Sequence, residues 1–600
     1  MGAKRNLKQK NSQSENIQNI YLLPILIAAA IVPMIVFMKT ESLTGILKEF
    51  KGADSNSDFF NYYKAMWLIG CAIIASAIFL VRMYMRKLEL KKSNIYIPLG
   101  IYCGFIIVSA LMSQYKDIAF MGFIDRREGM LVLLSYLLLC FATFNFVNSE
   151  KAIKWIIYSL VGSALVIGGI GCFQFFGHDF FATDFGRHLI LPKAHEDMAE
   201  TLTFQFGKNR TYTTLFNPNY VASYVVLIVP VLTSLLFFVK NIFVKAVSAL
   251  ALIVVFFSLV GSESRAGFGA TLITVILLII AFRKNVKKHY KIIIIGLTSL
   301  AVLFVCFNVL SGWRITNSIK NTISRTVTGL KLEEDKTYIK DISIEKNVMI
   351  IMYNSGNLAI ANKNGSVVFY DSKGKPLSIK QVEKTYHFQD ERYKDVYFSL
   401  TKEGAIQLFI GNKMLFVYNL KEGIRIAGIT GKPDVIHSIE KVGFKGKEMF
   451  FDGRGYIWSR TIPLLKKSFI IGYGPDTYAI EFPQNDYVGK LNTFSTIFQL
   501  VDKPHNLYLG IAVSSGVLSL IAFLIAIGIY LVMSVKLYIK GNYSTFKEVV
   551  GVSILISVVG YCFVGIFNDS TVTVAPVFWI LFGLGMACNF MVSQELKKQT

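Results

Sequence analysis

Apolar runs of about twenty residues recur along this chain, and no other feature limits its fold as strongly. A helix of that length crosses a hydrocarbon core roughly 30 Å thick. Each run must be helical, because lipid offers no partner to an open backbone N–H or C=O. Spans are expected near 20–38, 65–82, 95–113, 129–146, 153–175, 219–238, 243–260, 266–282, 292–310, 507–534, 549–567 and 574–592. The fold class that follows is an α-helical polytopic membrane protein of about 12 transmembrane helices. Hydrophobic residues make up 53% of the 600 and charged residues only 17%, which excludes a set of soluble domains.

The net charge of +24 first suggests a nucleic-acid partner, but its placement argues otherwise. Much of the excess sits in short connectors: Lys4, Arg5, Lys8 and Lys10; Arg82, Arg86 and Lys87; Lys240 and Lys245; Arg283, Lys284, Lys287, Lys288 and Lys291; Lys536 and Lys540. Every second connector is basic, the positive-inside pattern, so both termini are expected in the cytoplasm. The first apolar run follows a hydrophilic stretch without a small-residue cleavage site and reads as a retained span. All seven cysteines, Cys306 among them, fall in expected spans, so neither a disulfide nor a C-x-x-C metal site is expected on the outer side.

Six segments follow: a cytoplasmic tail at 1–19, helices one to nine over 20–310, an extracytoplasmic domain at 311–506, helices ten to twelve over 507–592, a cytoplasmic tail at 593–600, and a β-rich insert at about 335–447 within the outer domain. In the insert, period-two runs such as Val348–Tyr353 and Val367–Tyr370 alternate with Asn354-Ser355-Gly356-Asn357, Lys363-Asn364-Gly365 and Ser372-Lys373-Gly374. Turn residues between alternating runs predict consecutive hairpins, and a small sandwich is the expected form.

Charged residues at helix mouths on one side of a membrane are candidates for function. On the outer side these are Arg126, Arg127 and Glu128; Arg187, His188 and Arg210; Arg265; Arg454 and Arg460; and His505. Cations there oppose the topology rule, and arginines converging with one histidine suit an anion site better than separate contacts with lipid phosphate. Asn217-Pro218-Asn219 at a helix start has its own structural reason, since asparagine caps open donors and proline needs no N–H partner in the first turn. Asp54-Ser55-Asn56-Ser57-Asp58 imitates the opening of a calcium loop, but Phe59 stands at its glycine position and Ala65 where the bidentate glutamate belongs. His178, His188 and His195 are spaced too irregularly for zinc. No metal and no cofactor are expected.

Five blocks in order resemble the O-antigen ligase and polymerase-like superfamily of membrane glycosyltransferases. Arg210 to Asn219 is similar to that family's R-x-x-G-T-F-x-N-P-N, with Thr213, Leu215 and Phe216 in place of Gly, Phe and Gly, a departure expected to loosen the turn. Ser264-Arg265-Ala266-Gly267 resembles S-R-G-A, and Gly453-Arg454-Gly455-Tyr456-Ile457-Trp458 resembles G-R-x-x-I-W. Gly472-Tyr473-Gly474-Pro475 resembles G-x-G-P, and His505-Asn506-Leu507-Tyr508-Leu509 resembles H-N-x-Y-L. The resemblance covers roughly 115–310 and 450–590 and leaves the β-rich insert outside the family core.

The resemblance implies a metal-independent, inverting transfer of a glycan from an undecaprenyl-diphosphate carrier to a glycan, lipid or protein acceptor, on the outer face of a bacterial plasma or inner membrane. Arg265 and Arg210 would clamp the diphosphate, with Arg126 and Arg454 beside them; His505 would be the general base; Asn217, Asn219, Asn506 and Gly474 would shape the motifs. A polymerase using a lipid-linked repeat as acceptor fits the same motifs. A flippase would need polar groups deep in the spans, and a receptor would need a cytoplasmic output module larger than these inner connectors allow.

Overall fold

The computed structural model describes residues 20–203, 210–284 and 335–599, apart from 346, 364, 402–403, 422 and 541–542, with isolated positions between 305 and 320. The tail at 1–19, Cys306, Lys287, Lys288, Lys291 and most of the span expected at 292–310 lie outside the described residues.

The apolar runs of the first half form α1 (Ile20–Met34), α2 (Tyr62–Tyr84), α3 (Tyr96–Met112), α4 (Met130–Phe146), α5 (Glu150–Phe175), α6 (Pro218–Phe238), α7 (Ile242–Ser262) and α8 (Arg265–Ala281). Before the start of α2, the strands β1 (Lys39–Ser42) and β2 (Ser55–Asp58) pair antiparallel. The late membrane-type helices are α12 (Val517–Tyr538), α13 (Phe546–Val564) and α14 (Ala575–Gln599). They follow α9 (Phe450–Thr461), α10 (Tyr487–Phe494) and α11 (Leu507–Ser515). Among the described residues, seven helices, namely α2, α5, α6, α7, α12, α13 and α14, are long and apolar enough to cross a membrane, and α1, α3, α4 and α8 are shorter apolar helices. Helices α6, α13 and α14 bury most of their surface inside the bundle, as helices apolar on every side do.

Caps mark where these helices begin. Asn217 Oδ1 accepts from Asn219 N–H, with Pro218 at the first turn of α6. Thr545 and Glu548 form a reciprocal capping box at α13.

The single crossing expected at 507–534 is two helices. Gly516, at φ 106°, separates α11 from α12, and a Cβ there would lie 2.3 Å from the Ile470 carbonyl oxygen. At about 1.5 Å per residue, the nine residues of α11 are too short to cross. Instead α11 runs from the end of α13, where Leu507 N–H donates to Gly565 O at 2.8 Å, toward the end of α3. There Gly474 N–H donates to Ser514 O at 3.0 Å while its own Cα packs on Ser113.

The β-rich segment contains two antiparallel meanders. Strands β3 (Ile339–Glu345), β4 (Val348–Tyr353), β5 (Gly356–Lys363) and β6 (Ser366–Tyr370) form a sheet in sequence order. A seven-stranded sheet runs in the order β13-β12-β11-β10-β9-β8-β7, built from β7 (Ile379–Val382), β8 (Thr385–Phe388), β9 (Val396–Leu400), β10 (Ile406–Ile410), β11 (Lys413–Leu420), β12 (Gly423–Ala427) and β13 (Pro433–Asp434). The expected hairpins occur: Tyr353 pairs with Gly356, and Lys363 with Ser366. Alternate residues of both sheets, including Ile351, Leu358, Leu408 and Val417, share one apolar core. The module is bonded to the chain just before His505. Ile339 N–H donates to Asn492 Oδ1 at 2.9 Å, and Met414 N–H to Ser495 O at 2.9 Å.

Candidate active site

Short polar turns join the helices at one end of the bundle, and their caps lock them to one another. Asn506 Oδ1 accepts from Tyr508 and Leu509 N–H at 3.0 and 2.9 Å, capping α11, while its Nδ2 donates to Ile566 O at 2.8 Å. Asn219 Oδ1 accepts from Ser264 Oγ at 2.9 Å, tying the start of α6 to the start of α8. Its carbonyl accepts from Asn568 Nδ2 at 3.1 Å, which adds the turn between α13 and α14. Gly474, at φ 119°, lets the backbone pass where a Cβ would lie 2.6 Å from Ser113 Oγ. The three asparagines and this glycine thus brace the turns that carry the charged groups.

At the centre, His505 Nδ1 lies 2.7 Å from Asp569 Oδ2. The Asp569 side chain is 4% exposed and that of His505 36%, so the carboxylate is enclosed while the imidazole remains reachable. Burial alone would raise the Asp569 pKa, but His505, Lys503 and Arg126 outweigh it and hold it below the usual carboxylate value. Arg126 binds Asp502 through Nε and Nη2, both at 2.8 Å, and Tyr220 Oη through Nη1 at 2.8 Å. Burial disfavours the Arg126 charge, yet Asp502 and the other neighbours raise its pKa overall.

Arg265 Nη2 meets Asp452 Oδ1 at 3.0 Å. Arg454 is deeply buried and donates to Phe567 O at 2.7 Å, Phe451 O at 2.8 Å and Asn568 Oδ1 at 3.4 Å. Burial lowers the Arg454 pKa; Asp569 and Asp452 partly offset this, and the Arg265 charge lowers it further. Two guanidinium groups that repel across one turn make a place suited to an anion.

The block Asp125-Arg126-Arg127-Glu128 divides its side chains between two neighbours. Asp125 accepts from Asn56 Nδ2 at 2.9 Å and pairs with Lys51, and Arg127 pairs with Glu41, so both face the β1–β2 hairpin. Arg126 and Glu128 face the site, where Lys503 Nζ bridges Glu128 at 3.1 Å and Asp476 at 2.8 Å. Asp476 Oδ2 in turn accepts Phe123 and Glu128 N–H at 2.7 and 3.0 Å, fixing the loop that presents Arg126. A cavity of about 70 Å³ lies beneath, lined by Glu128, Asp476, Lys503 and Asp569 with Tyr136 and Trp579. The calcium-like stretch has structural partners: Asp54 pairs with Lys48, and Asp58 accepts from Phe60, Asn61 and Tyr62 N–H.

Arg126, Arg265, Arg454 and His505 therefore converge with Asn219, Asn506 and Gly474. Arg210 is half-buried and precedes Thr211, whose N–H donates to Gly261 O at 3.0 Å on the turn leading to Arg265. The turn from Arg210 to Asn217 follows a hydrogen-bonded, partly left-handed path. Thr213, at the motif's glycine position, and Phe216 take left-handed φ of 52° and 76°, and Gln174 Oε1 accepts Tyr212 and Thr213 N–H at 3.1 and 2.8 Å. Arg187 donates to Ala199 O at 2.9 Å, His188 pairs with Asp184, and Arg460 pairs with Asp486, each a local brace. Asp569, Asp502, Lys503, Tyr220 and Asp452 join the site without a sequence motif that singles them out. Asn568-Asp569 in a short turn between two apolar runs was the available signal, since a carboxylate there opposes a histidine at the neighbouring mouth.

The family model described as O-antigen ligase matches residues 404–524. The match begins inside the β-rich segment that the sequence reading set apart from the family core, and it takes in Arg454, Gly474, His505 and Asn506. No curated protein and no solved structure matches the chain. A match through the His505 block, in a chain of many apolar helices whose motif residues gather at one end, makes this multi-pass membrane protein similar, over residues 404–524, to the O-antigen ligase family.

Proposed function

We propose that the protein transfers a glycan from an undecaprenyl-diphosphate carrier to an acceptor hydroxyl on the outer face of a bacterial plasma membrane, with no metal taking part. The observation that carries this reading is the His505–Asp569 pair standing within one cluster with Arg126, Arg265 and Arg454. Asp569 accepting from Nδ1–H leaves Nε2 as the proton acceptor, and the part-exposed ring can meet an acceptor. The acceptor O–H proton passes to Nε2 as its oxygen bonds to the anomeric carbon. The bond from that carbon to the diphosphate breaks, and its electron pair leaves on the phosphoryl oxygen. One displacement inverts the anomeric centre.

Arg265 and Arg126 supply fixed positive charge where the leaving diphosphate develops its negative charge, with Arg210 alongside. Arg454, whose donors meet two backbone carbonyls, acts as a positioning residue for the turn beside Arg265. The basic connectors at the opposite end of the bundle support the outward orientation of this end.

The test is reconstitution in vesicles with a lipid-linked glycan donor, following release of the carrier diphosphate. Release should stop in His505→Ala and in Arg265→Ala. Release that continues unchanged in both variants overturns the reading.

A further inference from the structure

The turn that delivers Asp452 to Arg265 is strained. Phe451, Asp452 and Gly453 take φ of 47°, 60° and 87° in succession. A bulky residue such as phenylalanine rarely adopts a left-handed backbone, and such turns persist only where the surroundings impose them. Here the Phe451 ring stacks on Phe567 with centroids 4.2 Å apart and planes 24° from parallel. The Phe451 carbonyl is held by Arg454 at 2.8 Å. The turn puts one carboxylate, 58% exposed, on a guanidinium that is only 11% exposed.

We propose that Asp452 is the exchangeable counter-ion of Arg265, seated there when the donor site is empty and displaced by the donor's diphosphate. The proposal rests on the reading of Arg265 as a diphosphate ligand. An empty site needs a counter-charge, because Arg454 already feels the Arg265 charge. A mostly hydrated carboxylate making one contact supplies it weakly. A diphosphate brings more charge and several acceptor oxygens, so it wins the exchange. Once displaced, Asp452 stays beside the site as a like charge and favours departure of the diphosphate product.

The experiment titrates inorganic pyrophosphate, without divalent metal, into the full-length protein in detergent micelles, followed by calorimetry. Asp452→Asn removes the charge while keeping a residue that tolerates the left-handed backbone. It should bind pyrophosphate roughly fivefold tighter than wild type at low salt, with the gap closing as salt is raised. Asp452→Glu should bind like wild type. Arg265→Ala should lose binding, and Asp452→Asn should add nothing to it. If Arg265→Ala binds as well as wild type, the diphosphate reading of Arg265 fails. If Arg265→Ala loses binding while Asp452→Asn binds equally or more weakly than wild type, the exchange is overturned and the reading stands.

Discussion

His505 and Asp569 lie 64 residues apart in sequence and 2.7 Å apart in space, joined because α11 starts at the end of α13. Asp569 also accepts Asn506 N–H at 3.3 Å, so one carboxylate orients the imidazole and the cap beside it. Asp569→Asn keeps the shape and removes the charge that stabilises the protonated ring. Glycan transfer is expected to fall by about 10²–10⁴-fold, the range of general-base help, with little change in donor KM. Initial rates against donor concentration check this. A near-normal kcat in Asp569→Asn would show that the aspartate only caps.

Lys503 is buried between Glu128 and Asp476. Burial lowers its pKa, but Asp476 and Glu128 outweigh that and hold the ammonium charged. Glu128 is shifted up by burial, with Lys503 pulling it back part way. Lys503→Met leaves two buried carboxylates facing each other and should cost about 3–5 kcal/mol. The melting temperature of purified protein should drop sharply, and adding Glu128→Gln should recover much of the loss. Wild-type melting of the single variant would refute the bridge.

The apolar runs were legible in sequence because length and hydropathy alone dictate a helix in lipid. The break in the tenth run was not, because Gly516 yields to the Ile470 carbonyl, a contact from another segment. The site cations were legible as charges at mouths where topology disfavours them. Their partners were not: Asp502 and Asp569 stand in short polar turns with no local pattern that marks them as enclosed, and nothing local shows that Arg454 meets the Phe451 and Phe567 carbonyls. Thr213 and Phe216 show the same limit, since the backbone held by Gln174 keeps a turn that their side chains disfavour.

Lys490 gives stability an alkaline dependence. Its ammonium is buried against Gln484 Oε1 at 3.0 Å, and burial pushes its pKa down to about 7, with Asp486 opposing. An unfolded lysine titrates near about 10.4. Between these values the unfolded chain holds the extra proton, so stability rises with pH from about 7 to about 10, by at most about 1.4 kcal/mol per unit. Lys91, also pushed down to about 7 by burial, adds a contribution of the same sign. Lys490→Met should flatten the rise of melting temperature over that range without abolishing it. An unchanged slope would count against a buried, neutralised lysine at this position.

Gly516 sets where α11 ends, and therefore how the His505 turn is aimed. Its φ of 106° is open to glycine, and a side chain there would run into the Ile470 carbonyl. Val517 N–H donates to Phe469 O at 3.0 Å, so the 468–472 segment is bonded across the same break. Gly516→Ala must either push this segment away or straighten α11 into α12, and each outcome shifts Gly474 and the α11 cap. The backbone penalty alone is about 1–3 kcal/mol. The variant should melt lower and lose transfer activity although no charged group has been touched. Full activity with an unchanged melting temperature in Gly516→Ala would mean that the break is incidental and that the α11 turn is held by Asn506 and Asp569 alone.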